Sequence, residues 1–89
     1  MYKELIRNIQ GAVAFNLENA DKGDVERSFY TAGMVKAYTD VLRGLGHEVE
    51  IGTWDDNGCD RIGFIKIDGV VLVKKSKIDF DGYGELLKK

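Results

Sequence analysis

His47 and Cys59 are each the only residue of their type in this sequence, and as a pair they could provide a base and a nucleophile. A cysteine nucleophile needs a histidine within hydrogen-bond reach to accept its proton. The predicted strand between them spans six or so residues, which places the two side chains roughly 20 Å or more apart. A lone cysteine also excludes an internal disulfide and the usual cysteine-based zinc sites. We therefore expect no catalytic dyad and predict that the protein is not an enzyme.

Acidic residues are grouped at two places where oxygen ligands for a cation would be needed. The first group contains Asp55, Asp56, Asn57 and Asp60, and the second contains Glu18, Asp21, Asp24 and Glu26. The EF-hand spacing is not met, because with Gly58 at its fixed glycine position Thr53 and Phe64 would hold the first and last ligand positions. A polar hairpin turn explains the first group and helix capping explains the second. We expect neither a metal nor another cofactor.

The remaining reactive group is a cluster of lysines that follows two aromatic residues, Trp54 and Phe64. The lysines are Lys66, Lys74, Lys75 and Lys77. Lysines near aromatic side chains are typical of nucleic-acid surfaces, but lysines on a strand edge also discourage edge-to-edge pairing. The net charge of −2 provides no bulk attraction to nucleic acid or to a membrane surface. Nucleic-acid binding through these lysines is therefore an alternative interpretation.

Two amphipathic helices are predicted to occupy the first half of the chain. The first covers residues 2 to about 20, and the second runs from about Val25 to Leu45. The apolar stripe predicted for the second helix contains Tyr30, Met34, Ala37, Tyr38, Val41 and Leu45. Gly23 suits a helix C-terminus and Asp24 suits an N-cap. The short connector favours an antiparallel αα-hairpin.

The segment from His47 to Lys75 predicts three antiparallel strands. Asn57-Gly58 and Asp68-Gly69 mark two-residue type I′ turns, which need positive φ at both central positions. The segment from Ser76 to Asp81 is predicted to be irregular, and residues 83–89 to form one or two helical turns. The order α-α-β-β-β-α predicts a single α+β domain over residues 1–89, with the αα-hairpin packed on a three-stranded meander.

The two turns also predict a register that divides the sheet into two faces. The predicted pairs are Thr53–Ile62, Ile51–Phe64, Glu50–Ile65, Ile67–Val70, Ile65–Leu72 and Phe64–Val73. In this register the first face packs on the helices and contains Val49, Ile51, Thr53, Ile62, Phe64, Val71 and Val73. The second face contains Glu48, Glu50, Trp54, Ile65, Ile67, Val70, Leu72 and Lys74. An aliphatic second face needs a cover, and the C-terminal segment, a second copy of the chain or a different protein would supply one.

The second face therefore carries the functional prediction. We expect a small non-enzymatic binding protein that acts through protein–protein contact, as a homodimer or as an inhibitor or adaptor of the phage or mobile-element accessory type. The predicted interface residues are Trp54, Ile65, Ile67, Val70 and Leu72. No apolar run reaches the roughly 18 residues of a membrane span. Together with the single cysteine, this predicts a cytoplasmic protein without a membrane partner.

Residues 25–89, in the order α-β-β-β-α, resemble the double-stranded-RNA-binding domain and the small toxins that share its fold. The resemblance is one of element order only. RNA-binding members of that family place a lysine-rich pair at the start of the last helix, whereas Lys74-Lys75 ends a predicted strand. The first hairpin, TWDDNGCDR, has no counterpart of the family's histidine, and His47 is misplaced for the RNA cleavage of the toxins. The chain is therefore not assigned to this family.

Overall fold

The structure, a computed structural model, describes residues 2–88. Within these residues two long helices precede an antiparallel sheet and a short C-terminal helix. The elements are α1 (Tyr2–Asp21), α2 (Val25–Gly44), β1 (Val49–Asp56), β2 (Cys59–Ile67), β3 (Val70–Lys74), β4 (Lys77–Ile78) and α3 (Phe80–Leu87). The strand order is β1-β2-β3-β4. The predicted α+β class, with its helical hairpin and meander, is confirmed.

Three tight turns connect the strands, and two of them are the predicted ones. Asn57 and Gly58 have φ of 52° and 90°, and Asp68 and Gly69 have φ of 50° and 82°. The third turn lies at Lys75 and Ser76, with φ of 52° and 60°, and it adds the short strand β4. The sequence predicted Lys75 as the end of a strand and Ser76 as the start of an irregular segment. Neither residue favours positive φ, so the local sequence carries no turn signal.

Two β-bulges make the predicted register wrong beyond the turns. The turn-proximal pairs Thr53–Ile62 and Ile67–Val70 form as predicted. Gly63 is then an extra residue in β2, and Leu72 is an extra residue in β3, so each strand shifts by one position past its bulge. The observed pairs that replace the predicted ones are Ile51–Ile65, Glu50–Lys66, Ile65–Val73 and Phe64–Lys74.

The bulges bring most sheet aliphatics to one side, where they form the core with the helices. The fully buried sheet residues of this core are Ile62, Ile65, Ile67, Leu72 and Val73. They pack with Ile6, Ile9 and Val13 of α1 and with Val35 and Leu42 of α2. Leu72 and Val73 are both buried because the bulge turns two neighbouring residues towards the same side. The predicted division of the sheet into two aliphatic faces is therefore wrong.

The buried face of α2 also differs from the predicted stripe. Its buried residues are Ser28, Thr31, Ala32, Val35, Thr39 and Leu42. The Ser28 and Thr39 hydroxyls donate to carbonyl oxygens three residues earlier in their own helix, at 2.6 and 2.9 Å. Because these hydroxyls are satisfied locally, small polar residues face the core at little cost. Of the predicted stripe, Tyr30 and Val41 are exposed, whereas Met34 and Tyr38 are half-buried against the core.

The C-terminal helix packs against β3 and α1, and so joins the helical side of the sheet. Tyr83 and Leu86 of α3 are fully buried in the core. Asp79 caps the helix by accepting a hydrogen bond from the Gly82 amide at 3.1 Å. The predicted helical turns over residues 83–89 thus belong to a helix that begins at Phe80; Lys89 lies outside the described residues.

Candidate functional site

Most of the exposed large apolar side chains lie on the two long helices. Tyr30 is 71% exposed and Phe15 is 62% exposed, and Val41 and Leu45 are about half exposed. Met34 is half-buried between these positions, and Ala37 is exposed. We define the outer helical surface as Phe15, Tyr30, Met34, Ala37, Val41 and Leu45. Apolar residues scattered singly over a surface need no explanation, whereas a contiguous apolar patch marks an interaction site.

A groove between α1 and α2 runs through the outer helical surface. Its volume is about 380 Å³, and its lining residues are Phe15, Asn19, Arg27, Tyr30, Thr31 and Met34. Phe15 belongs to α1 and Tyr30 to α2, so the groove depends on the antiparallel hairpin. The Arg27 guanidinium lies 3.7 Å from the Asp24 carboxylate, but its side chain remains 77% exposed. The groove therefore offers two aromatic rings with a solvated cation beside them.

The sheet has a second exposed region on the side facing away from the helices. Phe64 lies opposite Lys74, and Lys66 lies opposite Glu50. Trp54 is 56% exposed, and a Cβ atom added at Gly63 would lie 3.9 Å from its ring. This side therefore combines aromatic, basic and acidic groups instead of the aliphatic patch that the sequence predicted.

The structure does not bring the five predicted interface residues together on an accessible surface. Ile65, Ile67 and Leu72 are fully buried beneath the helices, and Val70 is half-buried against the same core. Only Trp54 is largely exposed. The reason is the shift at the two bulges, which turns the aliphatic residues of β2 towards α1 and α2 and those of β3 towards α3.

The four predicted nucleic-acid lysines divide between two places. Lys66 is half-buried in the middle of the sheet. The other three lie at the third turn, with Lys75 within it and Lys74 and Lys77 on either side. Lys74 and Lys77 line an open groove of about 490 Å³ beside Phe80, which is 66% exposed. The same groove contains the carboxylates of Asp79 and Asp81, which reduce its positive potential.

Neither acidic group is arranged as a cation site, and among residues 2–88 no cluster of His, Cys, Asp or Glu could hold a metal ion. Several of the carboxylates are paired with cations. Asp60 pairs with Lys36 at 3.2 Å, and Arg61 pairs with Asp21 at 2.8 Å. Asp24 caps α2 by accepting a hydrogen bond from the Arg27 amide at 3.1 Å. These contacts give the acidic groups structural roles in the turn and in the helix connector.

His47 forms a cluster with residues from both ends of the fold. Its Nδ1 lies 2.7 Å from the Asp68 carboxylate, and its ring stacks on Tyr2 with the centroids 4.8 Å apart. Partial burial, together with the negative charge of Asp68, raises the pKa of Tyr2 above its ordinary value. The cluster of His47, Asp68 and Tyr2 ties the start of α1 to the turn between β2 and β3.

The other residue considered as a nucleophile, Cys59, is a buried free thiol.

No protein-family model matches the chain, and no curated protein or solved structure shows significant similarity to it. In the part of the chain that the structure describes, none of the helices is both long and apolar enough to cross a bilayer.

The outer helical surface was missed because all of its residues except Phe15 were assigned to the apolar stripe of the second helix. Tyr30, Val41 and Leu45 follow helical spacing, which predicts a buried stripe but does not say which of two stripes is buried. A second stripe of small residues runs along the opposite side of α2 through Ser28, Ala32 and Val35. The presence of two such stripes on one helix was the available signal that one of them faces outward.

Proposed function

We propose that this protein is a non-enzymatic binding protein that contacts another protein through the outer helical surface. The observation that carries the proposal is the pair of exposed rings, Phe15 and Tyr30, on either side of the groove between α1 and α2. Aromatic residues and arginine dominate the binding energy of protein interfaces, and Arg27 supplies the arginine beside the two rings. An inhibitor or adaptor of the phage or mobile-element accessory type, working in the cytoplasm, fits this mode of action.

The rigidity of the surface supports this proposal. Phe15 and Tyr30 lie within long helices whose opposite sides are buried in the core. Beneath them the side-chain amide of Asn16 donates to the Ser28 carbonyl at 2.9 Å, which fixes α1 relative to α2. A partner would therefore meet preformed walls, and little conformational entropy would be lost when it binds.

Capture of a partner from a lysate of the source organism tests the proposal, with Tyr30→Glu as the disrupting variant. Phe80→Glu is the matched control, because Phe80 is similarly exposed but lies at the start of α3. We expect Tyr30→Glu to lose the partner and Phe80→Glu to retain it. The opposite result, or capture unaffected by either change, contradicts the assignment.

A second candidate function is binding of single-stranded nucleic acid on the sheet side that faces away from the helices. The observation that favours it is the cross-strand pair of Phe64 and Lys74, with Lys66 in the same strand as Phe64. Aromatic rings that stack on bases and lysines that contact phosphates are the common elements of such surfaces. Gel-shift assays at low ionic strength test it, and the absence of any shift with DNA and RNA removes it.

A further inference from the structure

We infer that the free edge of β1 binds an extended segment of another protein, which adds a strand to the sheet and carries basic and apolar side chains in alternation. This interface goes beyond the outer helical surface, because it uses the backbone of a strand rather than the side chains of two helices. It is carried by the outward-facing backbone groups of β1, by the acidic charge of that strand, and by the exposed ring of Phe29 on α2.

The backbone of β1 is paired with a neighbouring strand on one side only, because β1 lies at the edge of the sheet. The Glu48 carbonyl accepts a hydrogen bond from the Asp68 amide at 2.9 Å, so from Glu48 onwards the even-numbered residues direct their backbone groups towards β2. These directions alternate along the strand, so Ile51, Thr53 and Asp55 direct their backbone groups away from the sheet. Their amides and carbonyls are the groups that a further strand would bond.

This edge lacks the features that usually prevent a sheet from gaining a strand. The Arg43 guanidinium donates to the outward carbonyl of Val49 at 3.2 Å and closes the start of the edge. Beyond Val49, no group among residues 2–88 bonds the outward backbone of Ile51, Thr53 or Asp55. β1 has eight residues without lysine or proline, and the extra residue of the neighbouring bulge belongs to β2. A long, unblocked edge is a template for an added strand.

The charge of β1 selects the kind of strand that fits. Residues 44–60 contain no lysine or arginine, whereas the acidic residues on or beside β1 are Glu48, Glu50, Asp55 and Asp56. Of these four, only Asp56 forms an ion pair within the described chain, with Arg61 at 3.4 Å. A second copy of β1 would bring the same carboxylates to the edge, and like charges on paired strands are destabilising. Lysine or arginine side chains on the added strand gain a favourable partner instead.

The neighbouring cations leave most of this negative charge in place. Two cations of α2 pair with carboxylates outside β1: Lys36 with Asp60 at 3.2 Å, and Arg43 with Asp40 at 2.7 Å. Lys66 lies opposite Glu50 and offsets part of its charge, although the two side chains form no ion pair. The edge therefore retains a net negative charge that a basic strand would neutralise.

The two faces of β1 differ, and this difference predicts the alternation of basic and apolar residues in the added strand. Ile51 packs against the core, so the odd-numbered residues of β1 face the helices and the even-numbered residues face the other side. Glu50 and Trp54 therefore lie on the side away from the helices, where both are exposed. Basic side chains of the added strand that point to this side meet the Glu50 carboxylate and the face of the Trp54 ring.

Phe29 supplies an apolar contact on the helical side of the edge. Lys36 and Arg43 follow it at intervals of seven residues, which is about two turns, so the three residues lie in one line along α2. Arg43 bonds the Val49 carbonyl of β1. Lys36 pairs with Asp60 of β2, so this line faces the hairpin of β1 and β2. Phe29 is 54% exposed there, and apolar side chains of the added strand that point towards the helices would cover it.

Fluorescence of Trp54, the only tryptophan of the chain, tests strand addition because this residue lies on β1 itself. The probe is a blocked peptide of the same eight-residue length as β1, in which lysine and valine alternate. One comparison peptide has glutamate in place of lysine, and the other keeps lysine but has N-methylated backbone amides. We expect the lysine peptide to change the emission of Trp54, with an affinity that falls as salt is added, and neither comparison peptide to do so.

Two results with these peptides would overturn the inference. Equal binding of the N-methylated peptide would show that the backbone of the peptide does not pair with β1, because N-methylated amides cannot donate hydrogen bonds. The absence of any response to the unmethylated lysine peptide at low ionic strength would show that the edge is not a binding site.

Variants of the edge locate the bound peptide on the protein. Thr53→Pro removes an outward amide, a change that edge strands tolerate, and Glu50→Lys reverses a charge without altering the backbone. Each should weaken binding of the lysine peptide by about tenfold, the scale of one lost hydrogen bond or charge contact. Glu85→Lys is the matched control, because it makes the same charge change at an exposed position of α3 and should alter the affinity by no more than about twofold.

The melting temperature of each variant shows that it is folded before its affinity is compared. Equal weakening by Glu50→Lys and Glu85→Lys, or unchanged binding by a folded Thr53→Pro variant, would overturn β1 as the site. Loss of the peptide in a folded Tyr30→Glu variant would also overturn it, because Tyr30 belongs to the outer helical surface.

Discussion

The side-chain amide of Asn16 in α1 forms hydrogen bonds to the backbone of β2, at Ile62 and Asp60, in place of a neighbouring strand. Its Oδ1 accepts a hydrogen bond from the Ile62 amide at 2.8 Å, and its Nδ2 donates to the Asp60 carbonyl at 2.7 Å. The ladder between β2 and β3 pairs only Phe64 to Ile67 of β2 with β3, so this part of the β2 edge has no strand beside it there. One fully buried amide therefore satisfies backbone groups that the bulged sheet leaves unpaired.

Replacement of Asn16 by Leu is expected to lower the free energy of unfolding by about 2–4 kcal/mol. The variant leaves the Ile62 amide and the Asp60 carbonyl buried without partners, and each such group carries a desolvation penalty. Urea denaturation followed by circular dichroism measures the change. Asn8→Leu is the control, because Asn8 is exposed on the same helix and should change stability by no more than about 0.5 kcal/mol. Equal effects of the two substitutions would refute this role of Asn16.

Two glycines of α3 are expected to respond in opposite directions to alanine. A Cβ at Gly82 would overlap the Val71 carbonyl oxygen, whereas a Cβ at Gly84 meets no atom within 4 Å. Gly82→Ala should therefore displace α3 from β3 and destabilise the fold. Gly84→Ala should stabilise it by up to about 1 kcal/mol through helix propensity. Thermal denaturation of both variants checks the pair, and stabilisation by Gly82→Ala would show that α3 does not pack on β3 as described.

Ser76→Gly is expected to stabilise the protein. Ser76 holds a positive φ of 60° in the turn between β3 and β4, a conformation that costs a non-glycine residue about 1–2 kcal/mol. Its hydroxyl is buried without a hydrogen-bond partner among residues 2–88, and its amide donates to the Gly63 carbonyl at 3.0 Å, a bond that glycine retains. The gain should be on the order of 1 kcal/mol, because the extra freedom of glycine in the unfolded chain offsets part of it. A loss of stability in chemical denaturation would contradict the assigned turn.

Stability is expected to fall at alkaline pH because of Tyr83. Burial raises the pKa of the Tyr83 hydroxyl far above its ordinary value. The unfolded chain releases this proton near pH 10, whereas the folded protein retains it. The stabilising contribution is therefore complete below about pH 10 and declines by about 1.4 kcal/mol per pH unit above it, until the pH reaches the folded-state pKa.

Tyr83→Phe provides the matched comparison for this pH dependence. The Tyr83 hydroxyl has no hydrogen-bond partner among residues 2–88, so the substitution should change stability at neutral pH by less than about 1 kcal/mol. Above pH 10 the variant should lose stability less steeply than the wild type. Identical slopes, obtained from urea denaturation at pH 7 to 11, would show that Tyr83 does not set the alkaline limit.

The fold class followed from local signals that act over a few residues. Asn57-Gly58 and Asp68-Gly69 have the turn chemistry of type I′ hairpins, and both turns form as predicted. The bulge at Gly63 has only a weak local signal, a glycine inside a strand, and the bulge at Leu72 has none. A shift of one residue exchanges the two faces of a strand, so Ile65, Ile67 and Leu72 lie in the core instead of on the predicted interface.

Sequence periodicity did not locate the candidate site. Helical spacing identified Tyr30, Val41 and Leu45 as one stripe of α2, but burial falls on the opposite stripe that contains Ser28 and Thr39. The choice between them depends on hydroxyl groups that bond to their own helix and on the contact of Ser28 with Asn16. The first is a local hydrogen-bonding effect and the second a tertiary one, and a pattern of hydrophobic residues reveals neither.

The most direct test of the central claim is the amount of partner protein that Tyr30→Glu captures relative to the wild type, with Phe80→Glu measured in parallel. The partner is any protein retained from the lysate, including an untagged copy of this chain. If the partner binds at the outer helical surface, capture is lost with Tyr30→Glu and unchanged with Phe80→Glu, while both variants keep the wild-type melting temperature. Undiminished capture by a folded Tyr30→Glu variant would contradict the account.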